Sequence, residues 1–434
     1  QSHMSQNRLE ELLKKKGIGP EGSKTLKIDE LNEIEYLFQD DTLSLTTKAT
    51  ILTALLMLPP SEIESTWLMN FKNKYTKILP RELFVFIETE IATSLFEKYL
   101  IQTIKHIHLS YTEASEAMEL LLCDDSIPEF QKGAFLEAQR LKRESFEENK
   151  AFFYVLWKHT DRIESTLPIL FDISDNYDGF NRYHNFAPFF AAAIASCGYP
   201  CIIHSIDSVA PKFGITSHKI IRACNGKADK SIEATLKHVS NPKIAWGYID
   251  QSIFHPLLYK LKTIRKEMVK RPFLATFEKM MQPIQAIHGN HLLTGYTHAH
   301  YRKEVAEQLQ SQNKVAAALV IKGIEGSSCP PLNRETIKVT VTKEGISDET
   351  IHASEFIDTV VNQLPSKNIE IQESVKLGLD ALDGVENEAY HQIVYYTIMA
   401  ISGFGFESKE SVSKKIKSHL KNGIVLEHFK CGLV

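Results

Sequence analysis

The chain has 434 residues, 43% of them hydrophobic and 24% charged, with a formal net charge of −4. That length and apolar content suffice for two or three globular domains with a large core, which excludes a disordered or low-complexity protein. A slightly acidic chain also lacks the overall basic field that drives non-specific nucleic-acid binding. The six cysteines are scattered with no CxxC pair, a pattern of reduced thiols rather than a disulfide framework or a zinc ribbon. Cys197 and Cys201 invite a metal reading by spacing, but the segments around them read as core. No stretch reaches the roughly 20 apolar residues of a membrane span, and no signal-peptide layout opens the sequence. Gln1, Ser2 and His3 read as a cloning remnant ahead of Met4, and the expected compartment is cytoplasmic.

From residues 8 to 108 the apolar spacing predicts helices, with amphipathic stripes over 48–58 and 81–104 and punctuation by Pro59, Pro60 and Pro80. This part, 1–108, reads as a helical N-terminal extension without recognisable chemistry. A second helical block follows, with a helix start near Thr112 and another opened by Ile127-Pro128-Glu129 that continues through QKGAFLEAQRLKRESFEENKAF. Gly133 and Ala134 inside it predict close packing rather than a ligand contact.

After residue 166 the texture changes. Apolar, β-branched segments at 171–174, 201–204, 243–248, 291–296, 317–322 and 336–342 alternate with helical stretches at 256–269 and 301–310. The alternation predicts an α/β fold: a helical N-terminal domain plus a larger α/β domain over 166–434, with a central, largely parallel sheet flanked by helices. An apolar helix over 389–401 and a lysine-rich final helix over 408–422 close the chain, the lysines forming a solvated face.

Residues 170–217 carry the richest pattern: strand, polar turn, small-residue helix opened by Pro188, strand, polar loop. In an open α/β sheet such loops and helix N-termini form the ligand crevice, so a phosphate-bearing ligand is expected there. Within it Asp178, Gly179, Asn181 and Arg182 line a turn, His204 ends a strand, and Lys212 with Thr216 is placed to clasp phosphate. The histidines His288, His291, His298 and His300 resemble metal ligands by number, but Gly289, Asn290 and a strand-like run separate them.

From Leu109 onward these stretches resemble the anthranilate phosphoribosyltransferases and the related family-three glycosyltransferases. LSYTEASEAMELLLCDDSIPEFQKGAFLEAQRLKRESFEE is similar to the family's N-terminal helices. FDISDNYDGFNRYHN stands at the family's D-I-x-G-T-G-G-D-x-x-N-T-x-N turn, and IIHSIDSVAPKFG at K-H-G-N-R-x-x-x-S-K-x-G. Phe254-His255-Pro256 with IRKEMVKRP, then VIKGIEG, then FGFESKESVSKKIKSHLKNGIVLEHF follow in the family's order.

The resemblance implies a helical domain over 109–165 with a later helix near 251–263, a homodimer through that domain, and phosphoribosyl pyrophosphate with magnesium between helical and α/β domains. It implies transfer of a phosphoribosyl group to an aromatic amine such as anthranilate, as in tryptophan biosynthesis. Donor and phosphate contacts are then expected from Asp178, Gly179, Asn181, Arg182, Asn185, His204, Lys212, Gly214 and Thr216. Acceptor contacts are expected from His255 and Arg271, and a metal ligand from Glu325. The sequence departs from the pattern where glycines would let a diphosphate approach the backbone: Ser174, Asp175, Asn176 and Tyr177 face them. Asp207 stands where the family has an arginine, and Gly326 where it has a second acidic residue. The donor motif is therefore eroded. The competing readings are a non-catalytic member that binds another phosphate-bearing ligand or grips nucleic acid, the less favoured partner, through residues 259–271, and an extension that binds a protein or covers the cleft.

Overall fold

A computed structural model describes residues 2–17, 22–312 and 314–434, without the side chains of Ser2 and His300. The chain forms two compact units: one runs to His159 and includes Leu257–Leu274, the other holds Thr160–Pro256 and Ala275–Val434.

The first unit is helical. Its helices are Ser2–Lys16, Ile28–Phe38, Leu45–Met57, Glu62–Lys74, Leu95–Ile104, Tyr111–Cys123, Glu129–Lys142, Phe146–Lys158 and Lys262–Met268. Serines at 61, 110 and 145 each accept from the backbone three residues on, while Glu64, Glu113 and Glu148 reach back, so three helix starts are written as capping boxes. The box at Ser145 explains a departure from expectation. The helix begun at Glu129 does not continue through residue 150 but stops at Arg143, whose φ is 67°, and restarts. Residues 81–104 likewise divide, with 3-10 turns at Arg81–Phe86 and Thr89–Ile91 before Ser94 caps Leu95–Ile104. The stretch from 256 also splits, into Pro256–Tyr259 and Lys262–Met268.

Helix Leu45–Met57 packs on Glu129–Lys142, where a Cβ on Gly133 would meet Thr46 Cγ2 at 2.7 Å. Residues before and after 108 fall in the same compact unit. The returning piece is 257–274, where the sequence had suggested 251–263.

The second unit is α/β. Its strands are β1 (Ile163–Glu164), β2 (Phe171–Ser174), β3 (Cys201–Ser205), β4 (Trp246–Asp250), β5 (Ile284–Gln285), β6 (Asn290–Gly295), β7 (Val315–Ile321), β8 (Thr336–Thr342) and β9 (Gly345–Ile351). Seven of them form one sheet in the order β4-β3-β2-β6-β7-β8-β9, and β1 pairs with β5. The first five strands of the large sheet are parallel, and β8 and β9 are antiparallel. Parallel strands buried on both faces read as unbroken apolar runs, which is why β2, β3 and β7 were legible. β9 was not, because GISDETI is an exposed polar edge strand.

Helix Ala187–Ser196 connects β2 to β3. Its alanines let it lie close on the sheet, and Phe189, Phe190 and Ile194 are buried in the main core. The lysine-rich helix Lys409–Lys421 is not the last: Gly423, with φ 75°, turns the chain into Ile424–Gly432, whose Phe429 stacks on Trp246. Among the described residues no helix is long and apolar enough to cross a membrane.

Candidate functional site

From β2 the chain proceeds to β3 and β4 on one side and later adds β6 on the other. The C-terminal end of β2 is therefore the switch point of the sheet, where the loops part and leave a crevice. Loop 175–186 after β2, loop 206–216 after β3 and the turn 323–328 after β7 meet there. Gly179 (φ 83°) and Gly214 pass at backbone contact, since a Cβ on Gly179 would lie 2.4 Å from the Gly214 carbonyl carbon. Phe180 and Ile215 pair as an isolated antiparallel bridge that locks the two loops.

The floor of the crevice is a buried polar network. His204 Nε2 donates to Asp172 at 3.0 Å, because a carboxylate only accepts, and Tyr177 donates its hydroxyl to His204 Nδ1 at 2.5 Å. Burial pushes the Tyr177 phenol well above its ordinary value, so it keeps the proton that it donates. Asn290 Nδ2 donates to the other Asp172 oxygen at 3.0 Å. Beside this network, Asp175 accepts from the Ser217 backbone N–H at 2.7 Å, from Ser205 at 3.0 Å and from Asn185 at 3.4 Å. Burial pushes its carboxyl up to about 6, against the opposing effect of those donors. Ser174, Asp175, Asn185, Ser327 and Ser328 line a cavity of only about 10 Å³, room for about one water.

The rim differs. Three successive backbone N–H groups, those of Asn181, Arg182 and Tyr183, point to one place, and the Glu325 carboxylate sits in it at 3.1, 3.2 and 3.1 Å. Lys212 Nζ adds a fourth donor at 2.9 Å. Consecutive N–H groups of this kind, with a lysine, are a ready anion site. Glu325 is held there by its own backbone: it adopts the left-handed region (φ 51°, ψ 32°), sparsely populated by residues other than glycine. Asn176 Nδ2 ties the turn to the site by donating to the Glu325 carbonyl at 3.0 Å and the Gly179 carbonyl at 2.9 Å.

The other expected residues are placed as follows. Asn181 Nδ2 donates to the Lys212 carbonyl, Arg182 is exposed, and Asp178 is buried with its carbonyl accepting from Gly214. Asn185 is fully buried; its amide donates to Asp175 and Ile215, and its oxygen accepts from the Ala187 N–H at the start of the helix. Thr216 caps helix Ser217–Ala223. His204, with both nitrogens engaged and no exposure, belongs to the floor rather than the crevice surface. His255 is fully buried in the α/β unit, and Arg271 lies in the helical unit with its carbonyl accepting from Arg140.

Of the histidines singled out by number, His291 is packed among Phe171, Phe404 and Phe406, and burial lowers its pKa to about 4. The side chain of His300 lies outside the described residues. Cys197 and Cys201 are buried thiols. In the basic segment 259–271, Arg265 and Lys270 are buried, and Lys270 donates to the Lys14 carbonyl.

Sequence reasoning gave Asp172 and Tyr177 no part in the site. The hint was present, since an aspartate inside the buried strand FDIS must be paired to be tolerated. It also read Glu325 as a metal ligand. In the structure its carboxylate accepts from three backbone N–H groups and Lys212, so a cation at Glu325 would have to displace those donors.

These features define a class: an α/β unit with an anion-receiving crevice at the switch point of a largely parallel sheet, alongside a helical unit. No protein-family model matches the chain. An uncharacterized protein of Aquifex aeolicus is 25% identical over 289 residues, 67% of this chain and 85% of the relative. The anthranilate phosphoribosyltransferase of Dictyoglomus thermophilum is 26% identical over 77% of this chain and 97% of the enzyme. Among solved structures, anthranilate phosphoribosyltransferase from Thermus thermophilus superposes with a TM-score of 0.63 at 17% identity, over 77% of this chain and 98% of that one. The Saccharomyces cerevisiae enzyme in complex with PRPP and Mg gives 0.61 at 16% identity, over 78% and 96%. The chain has the fold of the anthranilate phosphoribosyltransferases and is anthranilate-phosphoribosyltransferase-like in sequence, at the low identity of a divergent branch.

Proposed function

We propose that the protein is an anthranilate-phosphoribosyltransferase-like pentosyltransferase whose phosphate cradle is closed by its own Glu325 until a phosphate-bearing donor displaces it. The observation that carries this reading is the nest of Asn181, Arg182 and Tyr183 N–H groups, completed by Lys212 and filled by a carboxylate. A carboxylate and a phosphate oxygen satisfy the same donors, so the chain's own anion is a competitor for the ligand's.

Phosphoribosyl pyrophosphate is the proposed donor. The reaction breaks the bond from the ribose anomeric carbon to the diphosphate oxygen and forms one to an aromatic amine nitrogen, which loses its proton as pyrophosphate leaves. Such a displacement asks the protein mainly to position the reactants and to stabilise charge on the leaving group. Lys212 and the three N–H groups supply that stabilisation, while Gly179 and Gly214 keep the loops close enough to present them. The eroded glycine turn stays part of the proposal: Asp175 occupies the N–H of Ser217 and leaves the rim as the place for phosphate. The assignments of His255 and Arg271 to the acceptor, and of a homodimer, rest on the resemblance alone. Burial of Arg265 and Lys270 removes two cations from the surface that the nucleic-acid reading needs, so that reading is not adopted.

Calorimetric titration of the full chain with phosphoribosyl pyrophosphate, with and without magnesium, tests the proposal. Glu325→Gln keeps the shape but removes the competing charge, and at least about tenfold tighter binding is expected, equal to about 1.4 kcal/mol. No binding to either protein at millimolar donor would overturn the reading.

A further inference from the structure

Outside the crevice, one group of chemically distinct side chains converges in the helical unit. Glu119 and Cys123 are four residues apart on helix Tyr111–Cys123 and so share a face. His159 follows the last residue of helix Phe146–Lys158, and the two helices pack together. Glu119 Oε2 is 2.8 Å from His159 Nε2, Cys123 Sγ is 3.7 Å from the same oxygen, and Sγ is 3.8 Å from Nε2. We propose that Glu119, Cys123 and His159 form a zinc-binding site, with solvent at the fourth position.

The triangle has the size the ion requires. Tetrahedral zinc bonds of about 2.0 to 2.3 Å separate neighbouring ligand atoms by roughly 3.3 to 3.7 Å. Two edges are already within a small adjustment of that range, and the Glu–His edge opens by roughly half an ångström when a metal replaces the hydrogen bond. Thiolate, imidazole and carboxylate together match a borderline-soft ion rather than magnesium or calcium.

Two helix ends favour a cation, against the opposing ammonium groups of Lys158 and Lys132. Cys123 ends one 13-residue helix and His159 caps another, so both helix C-termini, with their partial negative charge, face the site. Lys158 Nζ holds the other Glu119 oxygen, which leaves Oε2 turned towards His159 and Cys123. Cys123 is exposed, and Glu119 and His159 are half-buried, so an ion enters from solvent without opening the core. On binding, the Sγ–H bond breaks heterolytically, its electron pair passes to the zinc and the proton leaves to water, while the proton that His159 Nε2 shares with Glu119 moves through water to Nδ1, which frees the Nε2 lone pair for the ion. Nothing is oxidised. The bound ion would join the ends of two helices, and among the described residues no other three His, Cys, Asp or Glu side chains come together in this way.

The test uses the reduced full-length chain, freed of metal by dialysis. Titration with zinc alone should show one equivalent bound, at least about tenfold more weakly in Cys123→Ser and in His159→Ala. Cobalt serves as the optical probe: a thiolate-to-cobalt charge-transfer band and intense tetrahedral visible bands are expected in the parent and in Cys431→Ser, and the former absent from Cys123→Ser. Circular dichroism and the urea midpoint of each metal-free variant report whether it is folded. Failure of the parent to bind zinc, equal zinc affinity in parent and Cys123→Ser, or a thiolate band that survives Cys123→Ser would each overturn the assignment.

Discussion

Two acidic clusters lie close together around the end of β2, and burial gives them different roles. On the floor, Asp172 and Asp175 are sealed from solvent, and their donors come mostly from the unit's own strands and helix starts. On the rim, Glu325 and Lys212 keep side-chain exposures of 7% and 22%, and their pair sits on loops. A buried network is costly to break because each abandoned donor loses water as well as its partner. Opening the rim pair costs less, since Lys212 reaches water and Glu325 keeps its three N–H donors. The comparison separates acidic residues that are architecture from one that the proposed function treats as exchangeable: the floor shapes the crevice, and on that proposal the rim trades its anion for the donor's.

The largest effect is expected where the floor is cut. Asp172→Ala leaves His204 Nε2 and one Asn290 N–H buried without acceptors, and should cost about 3 to 5 kcal/mol in urea unfolding. A loss below about 1 kcal/mol would mean that the floor is no firmer than the rim.

Asp175 gives a pH test of the same contrast. Its carboxyl is raised from the ordinary 3.8 to about 6 in the folded protein, chiefly by burial. Below both values the group is protonated in either state and contributes nothing. Between them the unfolded chain ionises while the folded protein keeps its proton, so stability falls as pH rises, by up to about 3 kcal/mol once the pH exceeds the folded value. Asp175→Asn should flatten that part of the profile. Urea midpoints between pH 4 and 7 for the two proteins check it, and parallel profiles would remove Asp175 from the sealed floor.

The smallest effect on stability is expected at the rim. Lys212→Met should cost about 1 to 2 kcal/mol, less than the floor cut, because Glu325 keeps its three N–H donors. It should nonetheless weaken binding of phosphoribosyl pyrophosphate. A stability loss of several kcal/mol would make the rim architectural and the comparison void.

Much of the α/β unit could be read directly from the residues. The apolar run FDIS, the alanine-rich helix and CIIHS name their own secondary structure, since buried parallel strands and a sheet-facing helix require such residues. Lys212, Asn181 and Glu325 were each named beforehand as site residues, and all three belong to the rim. What was missed has a common cause. Asp172 and Tyr177 look like isolated polar residues until β2 and β3 pair Ser174 with His204 and bring residues 30 apart into one network. Glu119 and Cys123 share a helix face that spacing alone reveals, but His159, 40 residues from Glu119, joins them only through helix packing.

The sequence by itself determined the helical first part, the order of the main buried strands and the largely parallel sheet, because these follow from local propensity and pattern. Only the tertiary structure decided what fills the crevice. That Glu325, 144 residues from Asn181, lodges in its N–H nest is a matter of how three loops close over the sheet. A side chain's hydrogen-bond partner is set by where the folded backbone places it, and no local pattern encodes a contact across that separation.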